Sequence, residues 1–324
     1  MPVERRLIPI NAFVGLCRVS PPWPSMLAEA GFRLAALEVP VRTGLGTVTL
    51  DGVADAHETN DLLVVECKSG ANIEVDQARK LGELDAVSVV QSASITLSQP
   101  TRPRVEVLYL CLAEHVDRIV FGLKQSGWQG PVLALSDTSL ELVYGNVSIP
   151  ALREALATPV PLTGPPPGFI PVDLDSPDEV YDPLVRSVLV ACQAQRLQAI
   201  TVRMLTEQAV RHFALIGKGM RRQLERKVSR SASRIAEQDP ENYTFHPDSE
   251  RREATVLILR TPEDADRRGR TQAYQAIARR GGGGGGQPRR RARPEIPGQM
   301  QFESVLHGLD AGDDAEEEGG DDGE

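Results

Sequence analysis

Residues 50–70 read LDGVADAHETNDLLVVECKSG. Gly46–Ala56 (GTVTLDGVADA) alternates and carries β-branched residues, which predicts a strand. His57–Asp61 is turn-like. Leu62–Lys68 (LLVVECK) is a short apolar run ending in charge, which predicts a buried strand. The two form a hairpin. Glu66 and Lys68 are two apart and share a face. With the turn centred near Thr59-Asn60, Asp55 lies opposite Val64 and Asp51 opposite Lys68. Asp51, Asp55, Glu66 and Lys68 then project together. Glu66 is diagonal to both aspartates, at roughly 7–8 Å between backbones, a span two carboxylates can close on one cation. A one-residue change of register would break the arrangement.

The rest of the chain supplies the setting. Residues 25–37 (MLAEAGFRLAALE) read as a helix. Val75–Ser92 has helical spacing through Ala78, Leu81, Leu84 and Val87. Val105–Leu112 (VEVLYLCL) is a second buried strand, and Glu114–Gln125 is a helix stopped by Ser126-Gly127. Pro131–Ser136 and Leu140–Tyr144 read as further strands, and Ile149–Ala157 as a short helix. The predicted order is αββαβαββ, a mixed α/β sandwich over residues 1–157. A proline-rich linker is expected over 158–177. A helix follows from 178 to 195, with Ser176 as N-cap and Pro177 at its first position.

Hard oxygen ligands from carboxylates, with water completing the shell, suit Mg²⁺ or Mn²⁺. A divalent ion beside a lysine is what phosphodiester hydrolysis needs. The chain has 5 lysines against 31 arginines, so a lysine kept on a buried strand stands out. A second acid-x-Lys match, Glu225-Arg226-Lys227, falls on a predicted basic helix and reads as surface charge.

The hairpin resembles the active-site hairpin of the PD-(D/E)xK, or restriction-endonuclease-like, nuclease superfamily. The resemblance covers roughly residues 25–145 and implies an αβββαβ core. It implies that Asp55 and Glu66 hold a metal, with the Cys67 carbonyl as a further ligand, and that Lys68 serves the attacking water. Exonuclease-type branches carry a glutamine on the next helix, which Gln77 resembles. An acid on the first helix would match Glu29, with Glu38 as the alternative. Ala54 stands where the family often has proline. Asp51 remains the alternative to Asp55. The implied activity is metal-dependent DNA cleavage, in a bacterial restriction, phage-defence or repair setting. The competing reading is an inactive nuclease fold serving as a DNA-binding or assembly subunit.

Thr201–Val210 and Lys218–Glu237 predict two more helices, and Tyr243–His246 and Thr255–Leu259 two strands. Helices followed by a hairpin give a winged-helix-like domain over 178–268. Met220, Leu224, Val228 and Ala232 form a narrow apolar stripe on the second helix. Its other faces carry Lys218, Arg221, Arg222, Arg226, Lys227 and Arg230, which suits nucleic acid. Arg251 and Arg252 at the wing tip would add phosphate contacts. Protein contacts through this domain are a second use.

From 269 onward the apolar pattern is lost. Gly281–Gly286 is six consecutive glycines, Arg289–Arg293 is basic and Asp310–Glu324 acidic, which predicts a disordered tail. Within it, Ile296–Leu309 holds apolar residues that suit docking to a protein partner.

The net charge of −9 over 324 residues divides by region. Residues 1–200 carry 15 basic and 23 acidic side chains, residues 201–307 carry 21 and 13, and the last 17 carry none and 9. Binding follows local charge, so the overall acidity does not exclude nucleic acid. The longest uncharged apolar-leaning stretch, Ala155–Val172, holds six prolines and cannot run through a spanning helix. At the start, Arg5-Arg6 and Leu7–Cys17 faintly resemble a signal peptide, but Pro9, Asn11 and Pro21-Pro22-Trp23-Pro24 break that pattern. Four scattered cysteines without CxxC indicate neither a zinc ribbon nor a disulfide framework. The expectation is a cytoplasmic protein without membrane contact.

Overall fold

Seven strands in the order β1-β2-β3-β4-β5-β6-β7 form the principal sheet, read from a computed structural model that describes residues 4–98, 102–249 and 253–258. Helices α1 (Ile8–Leu16) and α2 (Met26–Glu29) come first, then the strands β1 (Arg33–Thr43), β2 (Gly46–Ala56) and β3 (Asp61–Lys68). Helices α3 (Val75–Gly82) and α4 (Ala86–Ala93) lead to β4 (Arg104–Leu112), and α5 (Val116–Ser126) leads to β5 (Val132–Leu135). β6 (Ser139–Tyr144), α6 (Pro150–Ala155) and the two-residue β7 (Val160–Pro161) complete this half. β3, β4 and β5 are parallel neighbours; the strands flanking them pair antiparallel. The protein is of the α/β class.

Central parallel strands must be covered on both faces, which explains the unbroken apolar runs of β3, β4 and β5. On one face Leu62, Val64 and Tyr109 pack with Ala78, Leu81, Val89, Ile119 and Leu123 of α3, α4 and α5. On the other, Leu63, Val65, Leu108 and Leu110 pack with Phe13 and Val14 of α1. Phe13 lies so close to the sheet that a Cβ at Gly52 would sit 2.4 Å from its ring. Only glycine allows that approach, one residue from Asp51.

Several expectations need correction. The helix expected over 25–37 ends at Glu29, and 33–43 is the edge strand β1. Gly31, at φ +89°, stops the helix, and pairing with β2 outweighs the helical propensity of Leu34-Ala35-Ala36-Leu37. Residues 8–16, read as signal-like, form a buried helix with Pro9 in its first turn, where proline is tolerated. Asn11 on that helix is a pin: Nδ2 donates to the Leu7 and Ile170 carbonyls, and Oδ1 accepts from the Ile170 N–H. The single helix expected over 75–92 is two, separated at Glu83–Asp85, with Asp85 capping the second.

The expected linker, 158–177, is instead a strap packed on the body. β7 pairs with β6, Ile170 and Val172 are buried, and Asp173 is held by Arg6. Its prolines fix the path of a segment whose apolar side chains have somewhere to go. Ser176 does not cap the next helix: Asp178–Val180 is a single 3₁₀ turn, and α7 (Tyr181–Ala194) begins after it.

Beyond the strap, β8 (Ala199–Thr201) leads into α8 (Val202–Ala209), followed by α9 (Lys218–Gln238), β9 (Tyr243–His246) and β10 (Thr255–Ile258). β8, which sequence reading missed, joins the hairpin in a three-stranded antiparallel sheet of order β8-β10-β9. Leu224, Val228, Ala232 and Ile235 bury one face of α9 in the same hydrophobic cluster as Phe13 and Leu63. Ile216 forms a parallel bridge with Leu37, and the Gly217 N–H donates to the Leu37 carbonyl at 3.0 Å, covering part of the exposed edge of β1. Among the described residues no helix is long and apolar enough to cross a membrane. Arg251, Arg252, Ile296–Leu309 and the tail expected over 269–324 lie outside the described residues.

Candidate active site

The site lies where β2 and β3 part. Their pairing runs from Ala56↔Asp61 to Gly52↔Val65 and stops. β2 continues along β1 as far as Thr43↔Gly46, while β3 follows β4 to Lys68↔Cys111. At the fork, Asp51 Oδ2 accepts the Cys67 backbone N–H at 2.6 Å, taking the place of a ladder bond. A residue's N–H and C=O face the same neighbouring strand, so the Cys67 carbonyl also faces the opening. The observed register pairs Asp55 with Leu62, two residues from the expected Val64. The turn is tighter than expected, with Asn60 at φ +55°, and its centre moves back by one residue. A shift of two keeps every side chain on its face, so Asp51 falls across from Glu66.

Glu66, Lys68 and Gln77 close a triangle. Lys68 Nζ is 2.8 Å from Glu66 Oε1 and donates to Gln77 Oε1 at 3.0 Å. Gln77 Nε2, from the first turn of α3, donates to Glu66 Oε1 at 2.8 Å. The Glu66 side chain is 2% exposed and that of Lys68 is 17% exposed, so the pair is shielded with one side open.

Glu38 joins from β1. Leu37↔Gly52 and Val39↔Leu50 bracket it opposite Asp51, and its φ of +51° is unusual for a glutamate. Glu38, Asp51 and Glu66 thus form a row across three strands. Burial, with the charges of Asp51, Asp173, Asp175 and Glu66, raises the Glu38 pKa to about 8. Burial raises Asp51 to about 6, against the Cys67 bond and the Lys68 charge. Burial and the Asp51 charge raise Glu66 to about 8, although Lys68 and Gln77 pull the other way. Burial lowers Lys68, yet Glu66, Asp51 and Glu74 outweigh it and its pKa is raised. Crowded buried carboxylates sharing one ammonium are short of positive charge.

That shortage fits a divalent cation. Glu66 Oε2 is buried without a hydrogen-bond partner, an acceptor left over once Lys68 and Gln77 have taken Oε1. Among the described residues no three His, Cys, Asp or Glu side chains are grouped closely enough to hold a metal by themselves. The available donor set is therefore Asp51, Glu66 and the Cys67 carbonyl, with water for the remainder. It is an all-oxygen set suited to Mg²⁺ or Mn²⁺.

Not every expected residue gathers here. Asp55 lies four residues from Asp51, about 13 Å along the strand; burial raises its pKa, and the charges that oppose this are His57 and Arg33. Glu29 is exposed at the end of α2 and accepts from the Ser25 hydroxyl. It is not among the principal charges acting on Glu38, Asp51, Glu66 or Lys68. Two residues not anticipated from sequence do act on the site: Asp173 and Asp175 of the strap. A Pro- and Asp-rich stretch read as a spacer gave no signal of their position.

The basic residues of α9 divide. Arg221 donates to the Ile216 and Ala214 carbonyls, Lys227 to the Ser176 carbonyl, and Arg230 forks onto Asp178. Arg234 binds Asp182. Lys218, Arg222 and Arg226 are exposed.

Comparison with known protein families, curated proteins and solved structures yields no match for this chain.

Proposed function

We propose that the protein is a metal-dependent nuclease that hydrolyses DNA phosphodiester bonds, built like the PD-(D/E)xK enzymes with a winged-helix-like segment behind it. The observation that carries this reading is the meeting of Asp51, Glu66, Lys68 and Gln77 at the strand fork, with Glu66 Oε2 left unpaired. Asp51 and Glu66 would hold Mg²⁺ or Mn²⁺, with the Cys67 carbonyl between them. When bound, the ion supplies positive charge at the phosphate and lowers the pKa of water.

The other steps belong to the chain itself. The Lys68 ammonium is aimed by Glu66 and Gln77 into the open side of the triangle. There it orients the attacking water and balances charge developing on the phosphate. Gln77 fixes the Lys68 and Glu66 rotamers through one amide, donating to one and accepting from the other. Glu38 stands beside Asp51 as a further carboxyl group, and a bound cation would favour its ionised form.

The experiment is cleavage of plasmid and linear DNA with Mg²⁺ or Mn²⁺ by wild type and Lys68→Ala. Cutting by wild type and loss in the variant supports the nuclease. If neither protein cuts any DNA or RNA form while both bind it, the chain is the inactive binding subunit.

A further inference from the structure

The site is crowded with carboxylates and holds one ammonium, Lys68. Glu38, Asp51 and Glu66 are supplemented by Asp173 and Asp175 from the strap. A phosphodiester polymer entering it meets repulsion that one ammonium and one divalent ion offset only locally. Productive binding therefore needs a cationic surface beside the acids.

α9 supplies one, but only in part. Four of its seven basic side chains between 218 and 234 are committed to partners within the protein, although Arg230 stays 54% exposed. Arg221 caps the turn before the helix, with bonds of 2.7 and 2.6 Å to the Ile216 and Ala214 carbonyls. Lys227 is 16% exposed, 2.6 Å from the Ser176 carbonyl and 3.5 Å from Asp178. Arg230 binds both oxygens of Asp178, and Arg234 binds Asp182 and the Asp178 carbonyl. These four fasten α9 to the 3₁₀ turn, α7 and the segment preceding α9.

Lys218, Arg222 and Arg226 remain. All three are exposed, and none has a hydrogen-bond or ion-pair partner among the described residues. They lie at i, i+4 and i+8, so they form one row. Successive members rise by about 6 Å, the scale of one nucleotide step. Glu225 flanks the row and is half-buried. The row begins beside the β1 backbone that carries Glu38. Lys218 follows Gly217, whose N–H is bonded to Leu37, and a Cβ on Gly217 would lie 2.5 Å from the Glu38 carbonyl oxygen.

We infer that Lys218, Arg222 and Arg226 are the phosphate track that leads duplex DNA to the Asp51–Glu66 centre, and that Arg221, Lys227, Arg230 and Arg234 hold that track in place. The inference rests on the nuclease reading for what the track serves, but its binding chemistry is testable apart from cleavage. Duplex DNA suits the row because it presents a regular line of phosphates. Single-stranded RNA recognition relies on base-stacking aromatics, and aromatic residues are 4% of the chain.

The test measures affinity of the full chain for a labelled duplex across a salt series in metal-free buffer. Each phosphate contact contributes about 0.9 to the slope of log affinity against log salt. The triple variant K218A/R222A/R226A should lose about 2.7 of that slope with an unchanged melting temperature. Arg230→Ala should melt earlier and keep the wild-type slope. An unchanged slope in the triple variant overturns the inference, as does an equal loss in a folded Arg230→Ala, a loss seen with duplex RNA alone, or no binding by wild type. Cleavage by wild type alongside an unchanged triple-variant slope would remove the track and leave the nuclease. A reduced slope in a protein that never cuts would do the reverse.

Discussion

The carboxylate of Asp51 accepts the backbone N–H of Cys67 at 2.6 Å, at the point where β2 leaves β3. One side chain thereby closes the gap left by the missing ladder and places an acid across from Glu66. On the proposed reading Asp51, rather than Asp55, is the aspartate that would hold the metal. Asp51→Asn should abolish divalent-dependent cleavage and the rise in melting temperature caused by Mg²⁺. Asp55→Asn should keep both. Nuclease assays and thermal melts with and without Mg²⁺ check this, and the opposite pattern would return the role to Asp55.

Lys68 and Glu66 are a shielded pair, and their removal has opposite effects on stability. Lys68→Ala leaves a buried carboxylate without its ammonium. It should cost about 1–3 kcal/mol of stability and lower kcat by about 10²–10³-fold. Glu66→Gln removes the charge that burial disfavours, keeps the shape, and should raise the melting temperature of the metal-free protein while ending cleavage. Denaturant melts of the two variants read the signs directly.

The three carboxylates of the row predict the pH dependence. Glu38 and Glu66 at about 8 and Asp51 at about 6 all lie above ordinary carboxylate values. The folded chain therefore keeps protons that the unfolded chain releases as pH rises from about 4 to about 8. Metal-free stability should fall through that window and level off above it. A divalent ion binds the ionised forms, so stabilisation by Mg²⁺ should grow over the same window. Melting temperatures at about pH 5, 6.5 and 8, each with chelator and with Mg²⁺, measure both trends. A metal effect larger at the acid end would contradict this picture of the site.

Gly217 sets how closely α9 approaches β1, since any Cβ there meets the Glu38 carbonyl. Gly217→Val should lift the start of α9, cost about 1–3 kcal/mol, and reduce cleavage more than DNA binding. Parallel measurements of kcat and Kd make the comparison. Equal losses in both would show that the contact serves stability alone.

Much of this was legible in sequence where local pattern and burial agree. The alternation of 46–56 and the run LLVVECK gave the hairpin, and the acid-x-Lys spacing gave the shared face of Glu66 and Lys68. Gln77 entered only through the family resemblance, which puts a glutamine on the helix after that strand. Register was not, because it depends on where the turn bends, and Asn60 in the left-handed region moved it by two residues. β1 was hidden because Leu34-Ala35-Ala36-Leu37 favours a helix until β2 is available to pair with it. Glu38 therefore entered as a candidate for a helix and stands instead on an edge strand. The division of α9 into paired and unpaired cations was hidden for a different reason. Asp178 and Asp182 lie about fifty residues upstream of their partners, and only the fold brings them together.

The most direct measurement is Mg²⁺-dependent cleavage of duplex DNA by wild type, Asp51→Asn and Lys68→Ala at one protein concentration. Wild type should cut, with chelator abolishing it, Asp51→Asn should not cut, and Lys68→Ala should cut about 10²–10³-fold more slowly. Undiminished cutting by both variants, or no cutting of any nucleic acid by wild type with Mg²⁺ or Mn²⁺, would contradict it.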